Sequence, residues 1–187
     1  MTALRSGFVR ILDPLESPVS GLLAWSMAAL TCTQRLLADH QTRPQRSADA
    51  LLLMLSLRNL VRAADWVANT VQGSPQEVAR RQAVADFRHR LPDVVNARDV
   101  LEHFDDYATG QGRIQQRAAR DGRVPATYAL AVAIEDGAPV IGVGPYRFGV
   151  LRARDACREL TIMLLALEEL SDRSEAETLT ARVEDLA

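Results

Sequence analysis

The chain has 187 residues, a length that suits one domain or one domain with an appendage. Hydrophobic residues make up 48% of it and aromatic residues only 5%, so its core must be built from Leu, Val and Ala, of which Ala and Leu are strong helix formers. The formal net charge of −2 argues against a strongly basic protein that coats nucleic acid, although a local basic patch is compatible with it.

The first predicted helix begins with a clear start signal. Ser17 followed by Pro18 is typical of an N-cap and a first helical residue. Apolar residues then run from Val19 through Leu37, and the helix is predicted to end near Asp39. A break follows around Pro44.

The second predicted helix runs from about Gln45 to Thr70 and has two unlike halves. Its first half, Ala50–Leu57, is apolar on almost every face, which predicts deep burial. Its second half carries Asn59, Arg62 and Asp65. These polar residues either face a functional cleft, where Asn59 and Arg62 would contact substrate, or form the solvent side of a helix whose apolar residues pack inward.

Two further helices are predicted before the chain changes character. Ser74 and Glu77 have the spacing of a capping box, which predicts a third helix over Pro75–Arg90. A break at proline then starts a fourth helix over Pro92–Ala108. Gly110 is predicted to close that helix in the left-handed conformation.

After a basic segment, the pattern switches from a helical period to a period of two. Bulky residues alternate with alanine over Tyr128–Ile134, which predicts a strand with one bulky face. Asp136-Gly137 is a strong two-residue hairpin turn. The second strand is predicted over Pro139–Val143, with a third short strand at Tyr146–Val150.

A last long helix is predicted over Leu151–Leu170, and a capping box at 174–177 predicts a separate short C-terminal helix over about 175–187. The fold class that follows is mainly α: an up-and-down helical bundle in one domain over residues 1–187. A small antiparallel β-hairpin, about residues 124–150, is inserted before the last core helix.

The cysteines and the apolar runs predict the setting of the protein. Cys32 and Cys157 lie in apolar helical stretches and form no C-x-x-C pair, so we expect two buried thiols in a reducing, cytoplasmic compartment. Charged residues interrupt the first 18 residues, which therefore do not resemble a signal peptide. No apolar run reaches about 18 residues, so no membrane span is expected.

The segment most typical of a functional site lies on the fourth predicted helix. Arg98 and Glu102 are four residues apart and would face each other. Asp99 would orient the imidazole of His103 and raise its pKa, and Tyr107 would flank the ring. Arg98 lies about 140° around the helix from His103, so the two side chains do not share one face of the helix. They would meet only at a cleft between helices or across a two-fold interface.

Such a pair of side chains suits RNA cleavage without a metal or cofactor. When the ribose 2′-hydroxyl attacks the adjacent phosphorus, a histidine can transfer the proton. A guanidinium can hold the phosphate and offset the charge that develops on it. The catalytic set predicted from the residues is Arg98, Asp99, Glu102, His103 and Tyr107.

The run Arg98-Asp99-x-x-x-His103 resembles the Arg-x4-6-His motif of the HEPN superfamily of helical ribonucleases and nucleotide-linked toxins. The order of the predicted elements is similar too. The resemblance implies a homodimer with the motif helices at a shared cleft, and metal-independent RNA cleavage in stress response or defence. It implies that Arg98 clamps phosphate while His103 acts as acid and base. In a subset of the family a tyrosine follows two residues after the histidine, where this chain has Asp105.

Two groups of arginines are candidates for phosphate contact. All 22 cations of the chain are arginines, whose planar guanidinium suits forked contact with phosphate or carboxylate. Those just after the motif helix recur every three or four residues and form either a basic ridge that binds RNA or a solvated loop: Arg113, Arg117, Arg120 and Arg123. A similar set lies on the third predicted helix: Arg80, Arg81, Arg88 and Arg90.

Two other interpretations of the motif stay open. Arg98, Glu102 and His103 would form a surface salt-bridge ladder if the protein were a non-catalytic scaffold that dimerises or binds a partner protein. The acidic residues and His103 would be metal ligands if the bundle were a di-iron protein. That site needs Glu-x-x-His on two helices, whereas here Glu102 and His103 are adjacent and occur once, so no metal is expected.

Overall fold

The computed structural model describes residues 17–38, 41–70, 73, 75–123 and 128–184, with side chains to residue 169. The helices are α1 (Pro18–Leu36), α2 (Arg43–Asn69), α3 (Pro75–Arg90), α4 (Val94–Glu102), α5 (Phe104–Ala108), α6 (Arg113–Arg120) and α7 (Val150–Glu184). The strands are β1 (Leu130–Glu135), β2 (Ala138–Val143) and β3 (Tyr146–Gly149). The predicted fold class is confirmed: the chain is mainly helical, with a small antiparallel sheet directly before the last helix.

Local capping fixes the starts of α1 and α2. The hydroxyl of Ser17 accepts the backbone N–H of Ser20 at 3.0 Å, which confirms the predicted start of α1. At α2, the backbone N–H of Thr42 donates to Gln45 Oε1 at 2.9 Å. Pro44 is accommodated in the first turn, where its missing N–H needs no partner, so the predicted break is the cap of the second helix.

The core is built around α2, which packs on α1, α3 and α4, while α7 packs on α1 and α3. The prediction that Ala50–Leu57 is buried on every face is wrong. Leu51, Leu52 and Leu55 are 43–47% exposed, and so is Trp66 farther along the helix. These residues lie on the side of α2 that no described element covers, because its neighbours pack on the other faces.

The arginines of α3 form ion pairs. The helix begins at the predicted residue and ends near the predicted one. Ser74 of its predicted capping box lies outside the described residues. Arg80 is fully buried and donates to Glu168 of α7 at 2.6 Å. The other arginines of α3 pair at the surface, Arg81 with Glu77, Arg88 with Asp65 and Arg90 with Glu159. Arg80, Arg88 and Arg90 therefore connect α3 to other helices, Arg81 forms its ion pair within α3, and the four form no open phosphate-binding ridge.

The predicted single helix over Pro92–Ala108 is wrong, because the chain breaks at His103. The backbone of His103 has φ −111° and ψ 36°, which ends α4 and precedes α5. Histidine and the aspartates that follow it are weak helix formers. The break turns the chain so that Tyr107 is buried, whereas Phe104 is 70% exposed.

Two tyrosine rings lie close together beside the segment that follows α5, and a glycine of that segment packs on one of them. Gly110 has φ 80°, as predicted for the residue that ends the helix. The rings of Tyr107 and Tyr128 lie 4.6 Å apart between centroids. Gly112 packs so closely on the ring of Tyr107 that a side chain there would overlap it. The basic segment that follows was predicted to be either a ridge or a solvated loop. It forms the helix α6, which contains Arg113, Arg117 and Arg120.

Replacing Gly112 with alanine is expected to lower the free energy of unfolding by about 1–3 kcal/mol, because the added methyl overlaps the Tyr107 ring. Gly110→Ala is the matched control. No heavy atom lies within 4 Å of a methyl at that position, so only its positive φ is penalised, by about 1 kcal/mol. Urea denaturation of both variants measures the difference. Equal losses would show that the contact with Tyr107 does not determine the packing here.

The sheet has the order β1-β2-β3, with both pairs antiparallel. Asp136 and Gly137 both have positive φ, 50° and 77°, so the predicted two-residue turn is confirmed. The third strand is present. On β2, Ile141 and Val143 are buried against the helices, whereas Ile134 at the end of β1 is 59% exposed.

The last helix, α7, is continuous from Val150 to Glu184, so the prediction of a separate helix after a capping box at 174–177 is wrong. The residues between 170 and 174 include no Gly or Pro, and nothing there forces the backbone out of the helix. No helix among the described residues combines the length and apolarity that crossing a membrane requires.

Both cysteines are free and buried, as predicted. Burial raises the pKa of the Cys157 thiol, which lies beside the hydroxyls of Ser26 and Thr161. Burial also raises the pKa of Cys32, and the nearby carboxylate of Asp49 adds to this shift. Both thiols therefore stay protonated at neutral pH and serve as packing groups.

Candidate nucleic-acid interface

The break at the end of α4 exposes His103. Its side chain is 66% exposed, and its Nδ1 lies 3.9 Å from Oδ2 of Asp106. The predicted pairing with Asp99 is not formed, because His103 is no longer helical and Asp99 bonds to Arg98. The ring lines a cavity of about 330 Å³, the histidine cavity, together with Asp99, Asp106, Tyr107 and Arg113.

Arg98 is held by carboxylates of its own helix. Its Nη1 donates to Oδ1 of Asp99 at 2.9 Å, and its Nη2 contacts Glu102. The predicted facing pair of Arg98 and Glu102 is therefore confirmed as an ion pair. The side chain is 22% exposed and lines neither the histidine cavity nor the larger cavity beside it. Within one chain, Arg98 and His103 do not converge on a common cleft.

The larger cavity has a volume of about 750 Å³ and lies between α4, α6 and β3. Asn96 and Asp99 of α4 line one side, Tyr146 of β3 lines another, and α6 supplies most of the rest. The cavity arginines are the cations of this lining: Arg113, Arg117 and Arg120. Asp99 and Arg113 line this arginine cavity and the histidine cavity alike, so the two spaces adjoin.

The arginines and the carboxylates around the arginine cavity differ in whether they form ion pairs. None of the cavity arginines forms an ion pair with any residue in the part of the chain that the structure describes. The two carboxylates of the lining already have partners: Asp99 pairs with Arg98, and Asp121 pairs with Arg123 at 2.5 Å. The cavity therefore presents guanidinium groups whose charge is open to an anionic ligand.

Tyr146 adds an aromatic surface to this cavity. Burial raises the pKa of its phenol, with further upward contributions from Tyr107 and Asp93, while the nearby Arg113 guanidinium lowers it. The phenol is therefore a neutral hydrogen-bond donor at physiological pH. Its ring lies beside cations, an arrangement in which a nucleobase can stack.

The polar residues of α2 lie elsewhere. Asn59 is partly buried and Arg62 is exposed, and neither lines the arginine cavity or the histidine cavity. Asp65 accepts from Arg88 of α3 at 2.6 Å. These positions fit the solvent side of α2, and they do not fit the predicted role of Asn59 and Arg62 in substrate binding.

Sequence reasoning missed several residues of this site. Asn96, Gln116 and Tyr146 line the arginine cavity but belonged to no candidate set. Tyr146 follows the Gly-Pro turn between β2 and β3, and only the packing of β3 on α4 brings it here. The spacing of arginines on α6 was the one local signal of this cavity.

Comparison of the chain with protein-family models, with curated proteins and with solved structures finds no match in any of the three. Among the described residues, no group of three or more His, Cys, Asp or Glu side chains is arranged to hold a metal ion. The fold and the site define a mainly helical domain with a small antiparallel sheet and an arginine-lined cavity beside an exposed histidine.

Proposed function

We propose that this chain binds the phosphate backbone of RNA in the arginine cavity and cleaves it without a metal at the adjacent histidine, as the resemblance to HEPN ribonucleases implies, with Arg113 in the phosphate-binding role that the resemblance gives to Arg98. One observation carries the proposal. Three arginines that have no ion-pair partner among the described residues line a cavity of about 750 Å³ that adjoins the cavity of an exposed histidine.

The lining suits a nucleic acid strand better than a small carboxylate. Arg113, Arg117 and Arg120 follow each other at helical spacing, so their side chains share one face of α6 and can contact more than one phosphate. Tyr146 offers a ring for stacking, and the amide groups of Asn96 and Gln116 can hydrogen-bond to base edges. A flexible single strand would place these groups within reach of each other.

The cleavage step uses His103 and Arg113. The 2′-oxygen attacks the adjacent phosphorus and gives up its proton to the imidazole, so that an O2′–P bond forms and the P–O5′ bond breaks. The products are a 2′,3′-cyclic phosphate and a 5′-hydroxyl, whose oxygen takes up a proton as it leaves. Arg113, which lines both cavities, offsets the charge that develops on the phosphate. Arg98 takes the role of a positioning residue, because it neutralises Asp99 and Glu102.

Fluorescence anisotropy with a labelled single-stranded RNA tests the binding. Changing the cavity arginines together to glutamine is expected to weaken the affinity by on the order of tenfold or more at about 0.1 M salt. Glutamine forms helices well, so α6 is preserved. A matched variant changes three ion-paired arginines of α3 to glutamine, Arg81, Arg88 and Arg90, and is expected to bind within about twofold of the unchanged protein. Equal affinity of all three proteins would contradict the proposal.

A second candidate is a non-catalytic scaffold that forms a homodimer, and the exposed apolar stripe of α2 favours it. Leu51, Leu52, Leu55 and Trp66 fall on one side of the helix and are each more than two-fifths exposed. Under this candidate, Leu52→Glu converts a dimer to a monomer in sedimentation equilibrium. Val78→Glu, at another exposed apolar position, leaves the dimer intact. A monomeric unchanged protein would remove the candidate.

A further inference from the structure

A separate groove of about 500 Å³ lies between the start of α2 and strand β1. Gln41, Arg43 and Arg46 line it on the helix side, and Leu130 and Val132 line it on the strand side. None of its lining residues belongs to the arginine cavity or to the histidine cavity. The groove is therefore a feature that the proposed function does not use.

The strand side of this groove is a sheet edge that no other described strand covers, because β1 is the outer strand and pairs with β2. The two-residue turn makes Glu135 and Ala138 a hydrogen-bonded pair. Pro139, which has no N–H, then occupies a position without inter-strand hydrogen bonds to β1, as the antiparallel alternation requires. By the same alternation, the backbone N–H and C=O groups of Leu130 and Val132 point away from β2.

Among the described residues, the charged side chains on the helix side of the groove are both arginines. Arg43 and Arg46 form no ion pair within the described ranges, and no carboxylate lines the groove. Nε2 of Gln41 donates to Asp49 at 2.6 Å, which leaves its Oε1 buried without a hydrogen-bond partner. The Nε of Arg46 is also buried and unsatisfied. Small rotations of these two side chains would let a ligand supply the missing hydrogen bonds.

We infer that this groove binds an extended acidic peptide of a partner protein, which adds a strand to the outer edge of β1. The main-chain groups of Leu130 and Val132 would pair with the peptide backbone, about 4.8 Å away. Its Asp or Glu side chains, on the face toward α2, would pair with Arg43 and Arg46. Its other side chains would lie on the opposite face of the sheet, beside the exposed Ala131.

The same lining fits a nucleic acid less well. No aromatic side chain lines the groove to stack a base, and its strand side offers apolar groups and backbone amides. A free strand edge recognises another backbone in the extended conformation, and charge complementarity then selects the acidic sequence.

A phage library of random ten-residue segments without proline tests the inference, with selection against the full chain and against the double variant Arg43→Glu/Arg46→Glu. We expect the unchanged protein to enrich segments in which Asp or Glu alternates with Val, Ile or Thr. The double variant should bind these segments at least tenfold more weakly and should enrich Lys or Arg instead. Glutamate in the first turn of α2 is compatible with the helix, so the variant should fold.

Hydrogen exchange with a synthetic peptide of the enriched sequence supplies the structural readout. The amides of Leu130 and Val132 should gain protection, while that of Ala131, already bonded to β2, should not change. Enrichment without acidic residues, no enrichment at all, or protection elsewhere would overturn the inference. RNA affinity should be unaffected in the double variant. A loss of RNA affinity there would assign the groove to the nucleic-acid surface and remove the peptide.

Discussion

Changing His103 to alanine is expected to slow RNA cleavage by on the order of 100-fold or more, while RNA affinity stays within about twofold. The imidazole is the proton-transfer group of the proposal, whereas the cavity arginines supply the binding. Because the side chain is 66% exposed and its one ion-pair contact is a distant carboxylate at 3.9 Å, the substitution should not disturb the fold.

The measurement is the rate of cleavage of a labelled RNA in EDTA, with products resolved by their 2′,3′-cyclic phosphate ends. His89→Ala is the matched control, because His89 is an exposed histidine at the end of α3. Cleavage by the His89 variant should equal that of the unchanged protein. If the His103 variant cleaves equally fast, or if the unchanged protein does not cleave, the enzymatic half of the proposal fails and RNA binding alone remains.

Changing Glu168 to alanine is expected to lower the free energy of unfolding by about 3 kcal/mol. The Arg80 side chain is fully buried and its Nη2 lies 2.6 Å from the Glu168 carboxylate. Removing that carboxylate takes an ion-pair partner away from a buried cation, which costs much more than the loss of a surface pair. The effect should appear as a lower urea midpoint at unchanged slope.

Two further variants separate charge burial from simple loss of a contact. Glu159→Ala removes an ion pair with Arg90 whose partners are 44% and 60% exposed, and it should change stability by at most about 1 kcal/mol. The double variant Arg80→Met/Glu168→Leu should recover most of the stability that Glu168→Ala loses, because apolar groups replace the buried charge. If Glu168→Ala and Glu159→Ala are equally stable, the buried pair has no special role.

Signals that act over a few residues predicted much of this fold. Ser17-Pro18 set the start of α1, and Asp136-Gly137 set the hairpin turn, because each signal contains the groups that make the local hydrogen bonds or adopt the required φ. The start of α3 at Pro75 was predicted, and its end was predicted at about Arg90, where the helix does end. The alternation of bulky and small side chains placed β1 to within two residues of its observed bounds, and the turn then placed β2 to within one.

The predictions that were wrong concern features that depend on packing between segments distant in sequence. Helical periodicity continues through His103, yet the burial of Tyr107 against Tyr128, 21 residues later, favours a turned chain. In Ala50–Leu57 nearly every residue is apolar, and sequence alone cannot say which face a neighbouring helix leaves uncovered. Within one chain, Arg98 does not reach the cleft that was predicted between the helices. Two carboxylates of its own helix hold the guanidinium, and of these the sequence predicted the pairing with Glu102 but not the one with Asp99.

Only one wall of the arginine cavity could be predicted from the sequence. The spacing of Arg113, Arg117 and Arg120 indicated a basic face, but whether the segment was helix or loop was left open. The other walls come from α4 and from Tyr146 of β3, which lie near α6 only in the folded chain. Likewise, nothing local indicated that Asp99 would be paired with Arg98 and so leave the cavity positive.

The salt dependence of RNA affinity tests most directly whether the cavity arginines bind phosphate. Each phosphate contact to a single strand contributes about 0.7 to the slope of log K against log salt concentration, so three contacts contribute about 2. The slope should therefore be steeper by about 2 in the unchanged protein than in the variant with all three cavity arginines changed to glutamine. Identical slopes in the two proteins would show that RNA, if bound, is held elsewhere.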